Sequence, residues 1–491
     1  MTELSLSAVR TSPAETTADV LVVGVLKGAD GPTVTVELEG LPTDLAVLGV
    51  TGARDQLVRV PAVGVAASVV ALVGLGDVVD AESLRYAAGS AVRQLTGVDR
   101  VALALPVADD DEAAAVLEGA AIASWEFDSF RSASAGESRR HARELVLVAD
   151  RDLEESLVTR AAVVAEAVHT VRDLAMTPPQ QMFPQALADV AVARAEGLPL
   201  TVTVLAEDEL RAGGYGGILG VGQGSSRGPR LVKVEYAPEG AAKHLALVGK
   251  GITYDTGGLS LKPAGSMLGM KDDMTGAATV LAVTVAAARL DLPVRLTAWL
   301  CIAENMVSGT SIRPDDVLTI RGGTTVEVTN TDAEGRLVMA DGLVAASEEM
   351  PDAVVDVATL TGAQVVALGT RTVGVMGNDA LADEVVGLAG RVGETFWRMP
   401  LPGELRARLD SDVADLVNAT PGNTAAGMLL AGVFLQEFVG RREDGSVLPW
   451  VHLDIAGPSN NKGGGYGFTA KGSTGVSVRT LLELAAVFSV A

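Results

Sequence analysis

Apolar and polar positions along the chain follow two alternating periods. Short runs rich in β-branched residues, DVLVVGVL, ASVVALVGL, VDRVALALP and ELVLVAD, recur through the first third. They predict strands. Between them ESLRYAAGSAVRQLTG and DDDEAAAVLEGAAIASW carry apolar residues at helical spacing. The second opens with acids, where the helix dipole favours negative charge. DLEESLVTRAAVVAEAVHTVRDLAM predicts a long helix, ended by the prolines of TPPQQMFP. This alternation predicts an α/β domain over residues 1–165. A helix end and Pro-rich turn follow at 166–184, and a second alternation begins. HLALVGKG, PVRLTAWLCIAEN, TTVEVTN, AVVDVATLTG and WVHLDIAG read as buried strands, with TGAATVLAVTVAAARL as a helix between them. The expectation is a smaller N-terminal α/β domain followed by a larger α/β domain over 185–491, whose central mixed sheet is flanked by helices. The Gly-rich GPSNNKGGGYGFTAKGSTG predicts a long loop near the C-terminus.

Composition narrows the class. A chain of 491 residues exceeds what one core usually holds, which agrees with two domains. A single cysteine, Cys301, excludes an intramolecular disulfide framework and fits a reducing, cytoplasmic setting. The first twenty residues lack a basic start followed by an apolar core and do not read as a signal peptide. No uncharged apolar run reaches the roughly 20 residues of a membrane span. The net charge of -24 weighs against nonspecific nucleic-acid binding. Only four histidines occur and no two form an HExxH pair, so a metal site would rest mainly on carboxylates.

Ligand-type residues gather at predicted strand ends in the second alternation, where α/β sheets bind ligands. GKGITYDTGGLSLKP offers Lys250, Asp255 and Lys262; KDDMTGAA offers Asp272 and Asp273; NTDAEGRL offers Asp332, Glu334 and Arg336. Converging carboxylates raise one another's pKa, and divalent cations reverse that cost. Such a cluster suits two metals about 3.5–4 Å apart. Taken singly, each piece has an ordinary reading. Asp332 and Glu334 serve as acids at a helix N-terminus, Asp272 or Asp273 as an N-cap, and the lysines as solvated charges. His452 reads as a core residue and Cys301 as a small buried one. Other motifs fail. VGKGIT lacks the Ser or Thr of a phosphate-binding loop after Lys250. GILGVGQGSS lacks the third glycine of a dinucleotide loop.

In combination, NTDAEGRL, GKGITYDTGGLSLKP, DMTGAA, DVATLTGA and HLDIAG resemble the leucyl aminopeptidase (cytosol aminopeptidase) family, in that family's order. The resemblance covers the second alternation; the first matches only as an α/β N-terminal domain. It implies a dinuclear metallo-aminopeptidase that hydrolyses the N-terminal peptide bond of peptides, with leucine among the favoured residues. Asp255 and Glu334 would bridge two divalent ions, zinc or manganese first, magnesium or cobalt as alternatives. Lys250 and Asp273 would complete one shell, and Asp332 the other through its side chain and carbonyl. Asp272 is an extra acid beside the expected ligand. Lys262 would stabilise the oxyanion formed by a metal-bridging water. Arg336 cannot act as a base, since its pKa exceeds about 12; in the family it holds a bicarbonate that relays the proton. Lys262, Met270, Asn330, Thr359, Leu360, Gly362 and Ala456 would contact substrate. The resemblance also implies a homohexamer.

Overall fold

A computed structural model describes residues 4–41, 44–132 and 140–489. It divides the chain into two compact units, Met1–His169 with Asn461–Gly472, and Thr170–Asn460 with Ser473–Ala491.

The first unit is built on a sheet of seven strands: β1 (Ser5–Arg10), β2 (Val20–Gly28), β3 (Gly31–Val34), β4 (Leu57–Pro61), β5 (Val69–Gly76), β6 (Arg100–Ala104) and β7 (Glu144–Ala149). The order is β1-β7-β6-β2-β5-β4, with β3 paired to β2. Strands β1, β7, β6, β2 and β5 run parallel. The apolar runs predicted as strands fall on β2, β5, β6 and β7. Helices α1 (Ala81–Gln94) and α2 (Asp110–Ala123) pack on one another. Both starts are capped by an aspartate, and the second carries the acids its sequence places there: Asp80 accepts from Ser83 N at 2.7 Å and Asp109 from Glu112 N at 2.9 Å. The long helix is α3 (Glu155–Met176).

The second unit carries an eight-stranded mixed sheet. Its strands are β8 (Leu200–Leu205), β9 (Arg230–Tyr236), β10 (His244–Asp255), β11 (Arg295–Asn305), β14 (Ala353–Ala358), β15 (Val373–Gly377), β16 (Phe396–Arg398) and β18 (Trp450–Asp454). They are ordered β16-β15-β18-β14-β10-β11-β9-β8. The central strands β18, β14, β10 and β11 are parallel, and β8, β9 and β15 introduce antiparallel pairs. A small sheet, β12 (Val317–Thr319), β13 (Thr325–Glu327) and β17 (Leu416–Val417), stands apart.

Helices cover both faces of the central strands. The main ones are α8 (Thr275–Arg289), α9 (Gly335–Glu348), α11 (Asp379–Arg391), α12 (Gly427–Gln436) and α13 (Val478–Phe488). Shorter helices are α4 (Pro184–Ala195), α5 (Glu207–Ala212), α6 (Gly216–Gly222), α7 (Ala264–Met267) and α10 (Gly362–Leu368). A Cβ on Gly249 would strike Ala277 of α8, whereas Val248 meets Gly342 of α9. Successive residues of a strand face opposite sides, so α8 and α9 lie on opposite faces of β10. That explains why HLALV has no alternation: both faces of the strand are buried. Among the described residues, no helix is long and apolar enough to cross a membrane.

Candidate active site

Strands β10, β11, β14 and β18 run parallel, so their carboxyl ends share one edge of the sheet. The two neighbours of β10 are β11 on one side and β14 on the other. A sheet whose connections diverge in this way opens a crevice at its strand ends.

Lys250 and Asp255 both lie on β10. Five residues apart, they would face opposite sides of an unbroken strand. The register with β11 slips by one residue between Ile252 and Asp255, and this irregularity re-aims the end of the strand. Glu334 is the residue at which α9 begins. Two glycines make room. Gly335 faces Lys250, and a Cβ there would lie 2.5 Å from Lys250 Cε. Gly257 has φ +85°, and its Cβ would lie 2.8 Å from Asp332 Oδ1.

Lys250 Nζ is 2.8 Å from both carboxylate oxygens of Asp273 and 2.9 Å from Glu334 Oε1. It also donates to Thr359 O at 3.2 Å. Lys262 Nζ lies 2.7 Å from Asp255 Oδ2 and 2.6 Å from Asp332 Oδ1. One oxygen from each of Asp255, Asp273 and Glu334 falls within 4.8 Å of the others. All three residues are buried. Asp332 is the more exposed acid and joins them through Lys262.

Electrostatics show what the cluster lacks. Burial, with Glu334 beside it, pushes Asp255 up to about 6. Burial raises Asp273 well above the usual carboxylate range, against the pull of Lys250. Burial also acts on Glu334, but Lys250 and Lys262 outweigh it and its pKa falls. Burial would lower Lys250, yet Asp273, Glu334 and Asp255 dominate and hold the ammonium more tightly than a free lysine. Four carboxyl groups thus meet only two ammonium groups, and without further cations the excess acid is relieved by proton uptake, as the raised Asp255 and Asp273 show. An unpaired buried ion costs several kcal/mol, so this arrangement calls for further positive charge. Glu334 Oε2 is buried without a hydrogen-bond partner, and Asp273 Oδ2, though close to Lys250, makes no hydrogen bond. These are oxygen donors of the kind divalent cations take. Added cations would also reverse the field that keeps Lys250 protonated, freeing its amine as a ligand. The residues present therefore fit a metal centre.

Arg336, on α9, is buried and donates from Nη1 to Asn418 O at 2.7 Å. Its guanidinium stands 5.9 Å from the centre of the Phe434 ring. Burial pulls its pKa down to about 10, so it is charged at neutral pH. Its Nε has no hydrogen-bond partner.

The two adjacent acids part company. Asp273 belongs to the cluster, whereas Asp272 Oδ2 accepts from Asn460 Nδ2 at 2.7 Å. Neither side chain caps α8. Of the residues expected to contact substrate, Met270 opens the turn that leads to Asp273. Asn330 Oδ1 accepts from Asp332 N at 2.9 Å. Thr359 Oγ1 donates to Asp273 Oδ1 at 2.6 Å. Gly362 is exposed at the start of α10. Leu360 N and Ala456 N both donate to Asp454 Oδ1 at 3.2 Å. His452 is fully buried in the core and pairs with Asp356 at 2.5 Å, and Cys301 is fully buried with its thiol pushed up by burial.

Three supporting residues escape a reading of the sequence. Asn305, at the end of β11, donates to Asp255 Oδ1 at 2.8 Å and to Thr331 O at 3.1 Å. A polar residue closing the apolar run of β11 is the signal that could have found it. Asp454 sits within HLDIAG and ties Leu360 to Ala456. Asn418 lies in no motif.

Residues 169–482 match the model of the cytosol aminopeptidase family, catalytic domain, and residues 38–134 match the N-terminal domain of that family. The chain belongs to the cytosol aminopeptidase family. It is 59% identical to a probable cytosol aminopeptidase of Clavibacter michiganensis subsp. michiganensis, over 99% of each chain. A second relative, the probable cytosol aminopeptidase of Leifsonia xyli subsp. xyli, is 56% identical over 100% of both. Among solved structures, the bottromycin maturation enzyme BotP in complex with Mn superposes with a TM-score of 0.86 at 37% identity, covering 96% of this chain and 100% of that one. As a member of the cytosol aminopeptidase family, the chain is a metallo-aminopeptidase of a dinuclear, peptide-hydrolysing kind.

Proposed function

We propose that the protein is a cytoplasmic homohexameric aminopeptidase that releases N-terminal residues, leucine among the favoured ones, using two divalent ions and bicarbonate. The observation that carries this reading is the buried cluster of Asp255, Asp273 and Glu334, with two lysines too few to neutralise it and Asp332 alongside. Lys250, Asp255, Asp273, Asp332 and Glu334 would hold the two ions, Lys250 and Asp273 on one and Asp332 on the other. Zinc or manganese suits this donor set best, with magnesium and cobalt as alternatives; the manganese reported for BotP supports the choice. When bound, such ions supply a Lewis acid for the scissile carbonyl and lower the pKa of water from about 15.7 toward about 7.

The chain's own groups do the rest. Lys262, which pairs with Asp255 and Asp332, would keep its charge and stabilise the developing oxyanion. Arg336 is too basic to accept a proton, but its unpartnered Nε and planar fork suit a small anion such as bicarbonate, which supplies the proton relay. Met270, Asn330, Thr359, Leu360, Gly362 and Ala456 would orient the peptide.

The test compares leucine amide with N-acetyl-leucine amide at equal loading with each metal. Acetylation delocalises the lone pair of the α-amine and adds bulk where an exopeptidase must recognise a chain end. Loss of one required polar contact at such a site costs about 10⁴–10⁵ in discrimination. Cleavage of the free amine alone is the expected result. Acetylated substrate cleaved within about tenfold of it would mean an endopeptidase or general amidase.

A further inference from the structure

We infer that Asn418 is a positioning residue that locks the loop carrying Asp332 and the guanidinium of Arg336 into one rigid body. The inference rests on the roles proposed above for those two residues.

The loop between β13 and α9 has no regular structure, so its backbone polar groups need partners from elsewhere. Strands β13 and β17 run parallel, Glu327 beside Val417, and Asn418 is the next residue after β17. Its own N–H continues the ladder to Glu327 O at 3.0 Å. Beyond that point the side chain takes over. Asn418 Oδ1 accepts from Thr329 N at 2.8 Å and from Asn330 N at 3.2 Å. Asn418 Nδ2 donates to Asn330 O at 2.7 Å and to Ala333 O at 3.4 Å. The residue is fully buried. Its backbone carbonyl accepts from Arg336 Nη1. One residue thus holds the loop with both ends of its amide and the guanidinium with its carbonyl.

The opposite side of the loop is clasped as well. Thr331 Oγ1 donates to Gly257 O at 2.6 Å and accepts from Ser260 N at 2.7 Å. Asp332 therefore stands between two fixed anchors, one on the loop after β10 and one on Asn418. Few side chains could replace the amide. Alanine would leave Thr329 N, Asn330 N and Asn330 O without their partner. Aspartate would keep the size but set an oxygen against Asn330 O where a donor is needed.

The test uses the whole chain with Asn418→Asp, Asn418→Ala, Asp415→Ala and Asp332→Asn. Asp415 holds Thr325 at the far end of the same strand pair, so its loss reports on the small sheet alone. Mn²⁺ binding is followed by equilibrium dialysis, and kcat and KM are measured on leucine amide. Partners that orient metal ligands typically change affinity by about 10–100-fold. The expected result for Asn418→Asp is a loss of that size for one of two Mn²⁺ ions. Its kcat should fall by about 100-fold with KM little changed, since a displacement near 1 Å has that effect. Asp415→Ala should lower the melting temperature while Mn²⁺ affinity and kcat stay near wild type. If Asn418→Ala does not fold, the size-matched Asn418→Asp carries the test. Asn418→Asp with wild-type Mn²⁺ affinity and kcat, or Asp415→Ala with the same losses, would overturn the inference. Mn²⁺ loss in Asp332→Asn without loss in Asn418→Asp overturns the positioning role alone. Unchanged Mn²⁺ binding in both overturns it together with the ligand assignment of Asp332.

Discussion

Gly335 and Lys250 meet without space for a methyl group between them: a Cβ on the glycine would lie 2.5 Å from Lys250 Cε and 2.7 Å from Nζ. Gly335→Ala should therefore push the lysine away from Asp273 and Glu334. Overpacking at a buried contact costs about 1–3 kcal/mol of stability, which a domain of this size tolerates. Activity should fall by about 100-fold, because a shift near 1 Å at a reacting centre has that effect. Leucine amide turnover and a melting curve check both. Wild-type turnover in a folded variant would show that Lys250 has no fixed position to keep.

The adjacent acids should separate cleanly by mutation. Asp273→Asn removes a charge from the buried cluster and should weaken one metal site while lowering turnover by orders of magnitude. Asp272→Asn keeps a group able to meet Asn460 and should be mild. Metal content after dialysis, measured with kcat, distinguishes them. Equal metal loss in both variants would contradict the geometry around Lys250.

Metal removal should abolish hydrolysis and leave the fold. Lys250 and Lys262 pair with the four acids and offset much of their mutual repulsion when no cation balances them. A ligand present at about 1,000 times its Kd stabilises the native state by about 4 kcal/mol. Chelation should thus lower the melting temperature while far-ultraviolet circular dichroism stays native at 25 °C. Collapse of the spectrum on chelation would mean the ions hold the sheet together.

His244 gives a pH prediction away from the catalytic crevice. Burial, helped by Arg295, lowers its pKa to about 4, and its Nε2 lies 3.0 Å from Thr297 Oγ1. Between the unfolded value near 6.5 and about 4, the unfolded chain binds the proton and the native chain does not. The stability from keeping this imidazole neutral is present above about pH 6.5 and is lost as pH falls toward 4. Its full size is on the order of 3 kcal/mol. His244→Gln should lose less stability than wild type over that interval, read as the shift in urea midpoint between pH 7 and pH 4.5. Identical shifts in the two proteins would show that His244 does not contribute to acid sensitivity.

Long apolar elements were legible from residue pattern alone. HLALV, CIAEN and AVVDVA carry their burial in composition, and α3 and α8 have both length and period. Short strands were less so. TTVEVTN marks β13, but the structure places it in the small sheet beside β12 and β17, which have two or three residues each and pair through tertiary contacts rather than local preference. The ligand motifs were readable as a resemblance, but the slip between Ile252 and Asp255 was not. Spacing alone sets Lys250 and Asp255 on opposite faces. Asn418 was hidden for a different reason. Its partners are 82 to 91 residues away in sequence, and nothing in VNAT marks it.

The stretch Asn461–Gly472 belongs with the first unit although it is encoded after nearly all of the second. There Asp55, at φ +62°, accepts from Gly467 N at 2.9 Å, and Arg93 Nε donates to Gly467 O at 2.9 Å. The backbone therefore passes from one unit to the other three times. A gene cut after codon 169 would encode a first unit missing part of itself, and one begun there would carry an orphaned segment of its neighbour. Shuffling either half into another protein would need two joints rather than one.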